Sequence, residues 1–217
     1  MVPQSILSRE VFMRRYLLSF VIASTAIFAS AAAAQPLMTY TYADVAYQWT
    51  SINEDGYDNA NGVDVRLSAS PIEHFALEGG YNYATTGLNL ALPDERLSFD
   101  VDSNVFTYGG AGWYTIAEGL DLVGRVGGIH ARASLSGYGV DETASDNGVY
   151  AGLSLRYLAT EDLETDLNVL YDRIEDGAWT YGLTGLYAVH EHVALKAEAA
   201  IDNDADVGLL AGVRLAL

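Results

Sequence analysis

Val149-Tyr150-Ala151-Gly152-Leu153-Ser154-Leu155-Arg156-Tyr157, followed after a short turn by Leu163-Glu164-Thr165-Asp166-Leu167-Asn168-Val169-Leu170-Tyr171-Asp172, decides the fold. Side chains of an extended chain alternate between two faces. The first segment therefore carries Val149, Ala151, Leu153, Leu155 and Tyr157 on one face and Tyr150, Gly152, Ser154 and Arg156 on the other. The second sets Leu163, Thr165, Leu167, Val169 and Tyr171 against Glu164, Asp166, Asn168 and Asp172. Alternation alone does not say which face points inward. The polar faces decide it, because they combine glycine with opposite charges. A hydrated face has little use for glycine, which weakens strands. A narrow, packed interior does, so the greasy faces point outward, at lipid.

The same alternation recurs along the chain. Strands are expected near 39–51, 61–71, 74–85, 104–115, 120–133, 147–157, 163–174, 178–188, 193–202 and 206–217. At roughly 10–13 residues they exceed the usual five or six of soluble strands and suit a tilted membrane crossing. The first, third and fifth connections, near 52–60, 86–103 and 134–146, read as long loops rich in Asp, Asn, Gly and Ser. Those near 72–73, 116–119, 159–162 and 190–191 are short. Long outer loops alternating with short periplasmic turns are the habit of bacterial barrels. The expected fold is all-β: a closed antiparallel up-and-down transmembrane β-barrel of about ten strands, with eight as the smaller alternative. Closure is required because an open sheet edge cannot exist in hydrocarbon.

Aromatic residues gather at strand ends, as two membrane interfaces demand. Tyr47, Trp49, Tyr81, Tyr83, Tyr171, Trp179 and Tyr181 form the expected outer girdle, and Trp113, Tyr157 and Tyr187, with Phe75, the periplasmic one. Upstream, Met13-Arg14-Arg15, the apolar run to Phe28 and Ala32-Ala33-Ala34 read as a secretory signal with cleavage after Ala34. Residues 1–34 are thus an N-terminal extension and signal, with Met13 the better start, and 35–217 the barrel. The 29 Asp and Glu against 11 Lys and Arg repel phosphate backbones, so nucleic acid is not an expected partner. With no Cys, disulfide and thiolate chemistry are excluded.

The mature chain resembles a family of small bacterial outer-membrane proteins, the outer membrane protein β-barrel domain family of OmpA/OmpX-like and porin-like small barrels. The resemblance is carried by Tyr40-Thr41-Tyr42-Ala43-Asp44, by Ser70-Pro71-Ile72-Glu73-His74-Phe75 through Gly79-Gly80-Tyr81, by Leu163-Glu164 through Tyr171-Asp172, by Gly182 through Tyr187, and by Gly212-Val213-Arg214-Leu215. It implies residence in the outer membrane and delivery by the barrel assembly machinery. Such barrels usually end on an aromatic residue, and this chain ends on Leu217.

The expected lumen holds a charge network of Asp44, Asp64, Arg66, Glu78, Arg125, Arg156, Glu164, Asp166, Asp172, Lys196, Glu198 and Arg214. Buried charges must be paired or hydrated. A structural ion network filling a narrow barrel is the leading reading, and a narrow cation-preferring pore the second. His130 near Asp141, Glu142 and Asp146 gives a weaker, hydrolytic reading. No catalytic residue, cofactor or metal is assigned. His190 and His192 around Glu191 read as a solvated turn, and the acidic tips 53–59 and 202–206 as hairpin turns. The expected role is structural or surface-interacting, in a monomer contacting outer-membrane lipids and presenting its outer loops to an extracellular ligand.

Overall fold

The computed structural model describes residues 36–54, 56–91, 96–174 and 177–217. The expected signal lies outside the described residues. Ten strands follow one another: β1 (Tyr42–Ser51), β2 (Ala60–Ile72), β3 (Phe75–Ala91), β4 (Arg96–Ala117), β5 (Leu120–Gly137), β6 (Val140–Thr160), β7 (Leu163–Arg173), β8 (Ala178–His190), β9 (Val193–Asp202) and β10 (Val207–Ala216). Each pairs antiparallel with its neighbours in sequence, and β10 returns to β1, from Tyr42 opposite Ala216 to Ser51 opposite Val207. The count is ten rather than eight. A 3-10 turn over Pro36–Met38 precedes β1, so the first strand starts at Tyr42 rather than 39.

Six strands have 10 to 13 residues, the length of one tilted crossing. β3, β4, β5 and β6 have 17, 22, 18 and 21, and their surplus lies at the long-loop end. The segments 86–103 and 134–146, expected to be loops, are therefore mostly strand. Asp100 stands opposite Ser136, and Gly137 closes on Val140 through a two-residue turn. Tyr138 and Gly139 hold φ of 50° and 77° there, the left-handed pair that a tight hairpin requires.

These strands carry loop-like composition because their polarity inverts. Within the crossing, Leu77, Leu153, Leu167, Leu183, Leu195 and Leu209 face outward and are exposed. Above it, the outward positions become Ser98, Asp100, Arg132, Ser136, Asp141, Thr143, Ser145 and Asn147, all exposed. The inward positions turn apolar in the same step: Leu88, Phe99, Val101, Ala131 and Ala133 are buried, with Leu97, Leu135, Ile52 and Tyr57 packed against them. Lipid outside and charge inside gives way to water outside and an apolar underside. Strand patterning survives, but its polar face now looks like loop composition.

The overhanging sheet is asymmetric. Its β3 flank is covered by the β1–β2 connection, where Asp58 N donates to Gly87 O at 2.9 Å and Asn89 N donates to Gly56 O at 2.6 Å. On the other flank, β7 reaches only Arg173, opposite Val149. Among the described residues, 140–148 of β6 pair on the β5 side alone.

The inversion sets the height of the bilayer, and mutational cost follows it. Leu153→Arg is expected to destabilise the folded protein by about 2–4 kcal/mol in lipid, whereas Thr143→Arg, outward on the same strand and opposite Ser134, stays within about 0.5 kcal/mol. Reversible denaturant unfolding in bilayers measures both. Equal costs would contradict the placement.

Candidate functional site

Inward-facing side chains of neighbouring strands meet in the lumen, and all twelve residues of the expected charge network are buried there, each at most 6% exposed. Six of them form one continuous chain across β2, β1, β10 and β9. Arg214 donates to Asp44 from Nε at 2.7 Å and Nη2 at 2.8 Å, and Lys196 Nζ donates to the same carboxylate at 3.2 Å. Lys196 lies 3.1 Å from Glu198, which also accepts from Arg66 Nη1 and Nη2 at 3.1 and 3.3 Å. Arg66 Nε closes the series on Asp64 at 2.7 Å. Three cations meet three carboxylates, so the cluster is neutral. That cancellation makes burial tolerable, since an unpaired ion in this medium costs several kcal/mol.

A second group lies across the lumen. Arg125 donates to Ser154 Oγ at 2.9 Å, Ser154 donates to Asp166 at 3.2 Å, and Glu78 stands 3.6 Å from Arg125 Nε. Arg156 grips both oxygens of Glu164 and donates to Leu37 O at 2.6 Å. Asn82 and Gln48 link β3 to β1, and Gln48 continues to Thr50 at 3.0 Å. Asp172 stands apart from both groups, with the backbone of Ile174 beside its carboxylate and no cation paired to it among the described residues. A cavity of about 10 Å³ beside Asp64, Arg66, Asn82 and Thr107 is room for about one water.

Both ends of this polar interior are closed by apolar clusters. At the periplasmic end Leu37, Met38 and Tyr40 fold back inside, and Tyr40 stacks on Trp113 with ring centroids 3.2 Å apart. Trp113 was expected in the periplasmic girdle, yet it is buried, at 6% exposure. On β4 the odd positions point inward, and the even ones, Phe106, Tyr108 and Tyr114, carry the exposed aromatics. The sequence hint was parity: Trp113 shares a face with Gly109 and Ala111. At the outer end Val105, Ile129, Ala131, Tyr150, Leu170 and Ile174 pack together. Inward glycines admit Tyr150. A Cβ on Gly127 would meet its ring at 2.5 Å, and one on Gly109 would meet its hydroxyl at 2.6 Å.

Outside, Tyr47, Tyr157, Trp179, Tyr181 and Tyr187 are exposed, while Trp49, Tyr81, Tyr83 and Tyr171 are half-buried against neighbouring side chains. The outer tyrosines reach upward to polar partners. Tyr47 donates to Asn61 at 2.7 Å, Tyr81 to Asn104 at 2.7 Å and Tyr83 to Asp102 at 2.8 Å. This apolar body with a polar tip is what an interface selects.

The remaining candidates are brought together less. His130 faces outward and its Nδ1 donates to Asn147 Oδ1 at 2.9 Å, so an amide rather than a carboxylate holds the imidazole. His190 and His192 have ring centroids 6.4 Å apart, and among the described residues no three His, Asp or Glu groups are arranged to hold a metal. Asp202 accepts from the amides of Asp204 and Asp206 at 2.8 and 2.9 Å, and Asp206 accepts from Asn53 N at 2.7 Å. These acids close a turn and tie it to the neighbouring loop. Burial raises the pKa of the loop carboxyl of Asp206 above its ordinary value.

Because Asp44 neutralises two buried cations, Asp44→Ala is expected to cost about 3–5 kcal/mol. Adding Arg214→Leu should recover part of that loss, since it removes one of the cations left unpaired. A double-mutant cycle on denaturant unfolding tests this, and additive costs would contradict it.

The match to the outer membrane protein beta-barrel domain family covers residues 20–208. No curated protein matches the chain in sequence. Among solved structures, the attachment invasion locus protein Ail of Yersinia pestis is similar at 18% identity, over 82% of this chain and 100% of that one, with a TM-score of 0.41. The translocator domain of autotransporter NalP from Neisseria meningitidis is similar at 12% identity over 98% of both chains, TM-score 0.51. The KdgM porin aligns at 10% identity over 80% of this chain and 99% of that one, TM-score 0.39. With the family match spanning most of its length, the chain belongs to the outer membrane protein beta-barrel domain family and resides in the outer membrane.

Proposed function

We propose that this barrel works by contact at the cell surface, and that its interior is a structural brace rather than a path. The observation that carries the reading is the double seal: an ion-paired charge network lies between the Tyr40–Trp113 stack and the Tyr150 cluster, and the cavity beside Asp64 and Arg66 has room for about one water. Conduction needs a continuous hydrated route. Two apolar layers interrupt it. The surplus strand length has instead been placed outside the membrane, in a four-stranded sheet with a polar outer face and one open flank. A rigid sheet is a better recognition platform than a loop, because less order must be gained on binding.

The same reading makes the protein non-catalytic and without a cofactor, since His130 is held by Asn147 and faces the interface. It takes the protein as a monomer, since closure leaves no unpaired strand edge within the crossing to which a second copy could add by strand pairing. It takes Gln35 as the first mature residue, with Leu37 to Tyr40 then folding into the periplasmic mouth. The assembly machinery delivers the chain to the outer membrane.

In planar bilayers the purified barrel is expected to give no discrete channel openings at either polarity. A variant in which residues 134–143 are replaced by a two-residue turn should still migrate as a heat-modifiable folded barrel. Stepwise openings in the unmodified protein would overturn the reading in favour of a narrow pore.

A further inference from the structure

The ion pairs of the lumen leave one group of buried acids out. Arg66, Arg125, Arg156, Lys196 and Arg214 are held by Asp44, Asp64, Glu78, Glu164 and Glu198. At the outer ends of β7, β8 and β9, and in the turn after β9, the inward side chains are Asp172, Thr180, Asp202 and Asp206. They are 1%, 1%, 6% and 5% exposed. Asp172 stands opposite Ala178, and Thr180 is two residues further along β8, opposite Asp202. The threonine therefore lies between two acids of flanking strands. Arg173, next to Asp172 in sequence, is exposed on the outside of the barrel.

These side chains have oxygens to spare. Asp202 uses one carboxylate oxygen for the amides of Asp204 and Asp206, and Asp206 uses one for Asn53 N. The second oxygen of each has no hydrogen-bond partner among the described residues, and neither has the Thr180 hydroxyl. Asp172 has the Ile174 backbone beside it and no cation. The charges that act on these acids are other acids: Asp202 on Asp172, Asp204 and Asp206 on Asp202, and Asp204 and Glu54 on Asp206. Buried carboxylates persist as ions when a cation pairs with them or a metal binds them. A buried, unpartnered hydroxyl between two such acids adds a neutral oxygen donor, and oxygen is the donor that hard cations take.

From this arrangement we infer that Asp172, Thr180 and Asp202 bind a structural calcium ion in the outer mouth of the barrel. Two carboxylates and a hydroxyl supply part of its shell, Asp206 adds charge beside it, and water completes the coordination. Donors spread over three strands suit the flexible six to eight ligands of calcium better than the strict octahedron of magnesium. A protein shell this sparse places the dissociation constant at about 0.1–1 mM, the range of extracellular calcium modules. Asp204, exposed on the turn, faces the water from which the ion enters. Binding would relieve the repulsion among the acids and hold the 202–206 turn, and through Asn53 the β1–β2 connection, in one arrangement. The site is independent of whether the lumen conducts.

The test uses the folded full chain in phosphatidylcholine nanodiscs, with calcium, magnesium or chelator. Calcium at about ten times its dissociation constant should raise the unfolding midpoint by about 3–6 °C, magnesium should do much less, and chelator should reverse the gain. Terbium should bind in calcium's place and luminesce on excitation of Trp179, whose amide donates to Asn203 Oδ1 at 3.0 Å beside the site. Asn keeps the acceptor that the turn needs, so D172N/D202N should fold and, in chelator, be at least as stable as the unmodified protein, yet lose the response to calcium. T180V should weaken calcium binding severalfold. D100N/D141N, which removes exposed acids of the overhang, should respond like the unmodified protein. No calcium shift, an equal shift with magnesium, or an undiminished shift in D172N/D202N would overturn the assignment.

Discussion

The seam between β1 and β10 is the contact on which everything else rests. Ten residue pairs, Tyr42 with Ala216 through Ser51 with Val207, join the first strand to the last. In hydrocarbon an unpaired amide costs several kcal/mol and has no water to turn to. Without the seam two full strand edges would face lipid. With it the sheet becomes a tube, and a tube has an inside. Residues that alternate away from lipid are forced onto a common axis, where charge must be paired or hydrated. Asp44 lies on the seam strand itself and bonds Arg214 directly across it, so closing the backbone and neutralising the interior occur at one place.

The second constraint is that solvent changes along the axis. A strand crossing lipid must be greasy outside, and the same strand continued into water must be greasy on the side that remains covered. β3 to β6 obey both rules in turn, with the switch falling at the tyrosines whose hydroxyls reach Asn104 and Asp102. The apolar underside of the overhang then joins the cluster that closes the outer mouth. One change of pattern therefore marks the membrane surface, stiffens the exposed sheet and seals the lumen. The periplasmic mouth is sealed by separate means, with Leu37, Met38 and Tyr40 turned inward and Tyr40 stacked on Trp113.

Much of this was legible because period-two alternation is local. Strand number, order and the inward set from Asp44 to Arg214 follow from counting alternate positions and asking which face holds glycine beside opposite charges. Three things were not legible. The overhangs looked like loops, since Asp100, Asp102, Ser134 and Ser136 are polar outward residues with no lipid to face, and nothing local announces where lipid ends. Trp113 has the identity and strand-end position of an interface residue, and only its parity with Gly109 and Ala111 marks it as inward. The inward fold of Leu37 to Tyr40 depends on contacts with Trp113, Asp121 and Arg156, which are distant in sequence. Asp121 itself could have been placed from parity with Val123 and Arg125.

The most direct measurement exploits the absence of cysteine, which makes single introduced thiols clean reporters. Leu153→Cys, Ser154→Cys and Ser145→Cys, on one strand, sample lipid, sealed lumen and outside water. In bilayers, a bulky water-soluble thiol reagent should modify Ser145→Cys alone. A bilayer-quenched fluorophore should report Leu153→Cys as lipid-facing, and the native fold should shield Ser154→Cys from both environments. Rapid aqueous modification of Leu153→Cys, or lipid quenching at Ser154→Cys, would contradict the account.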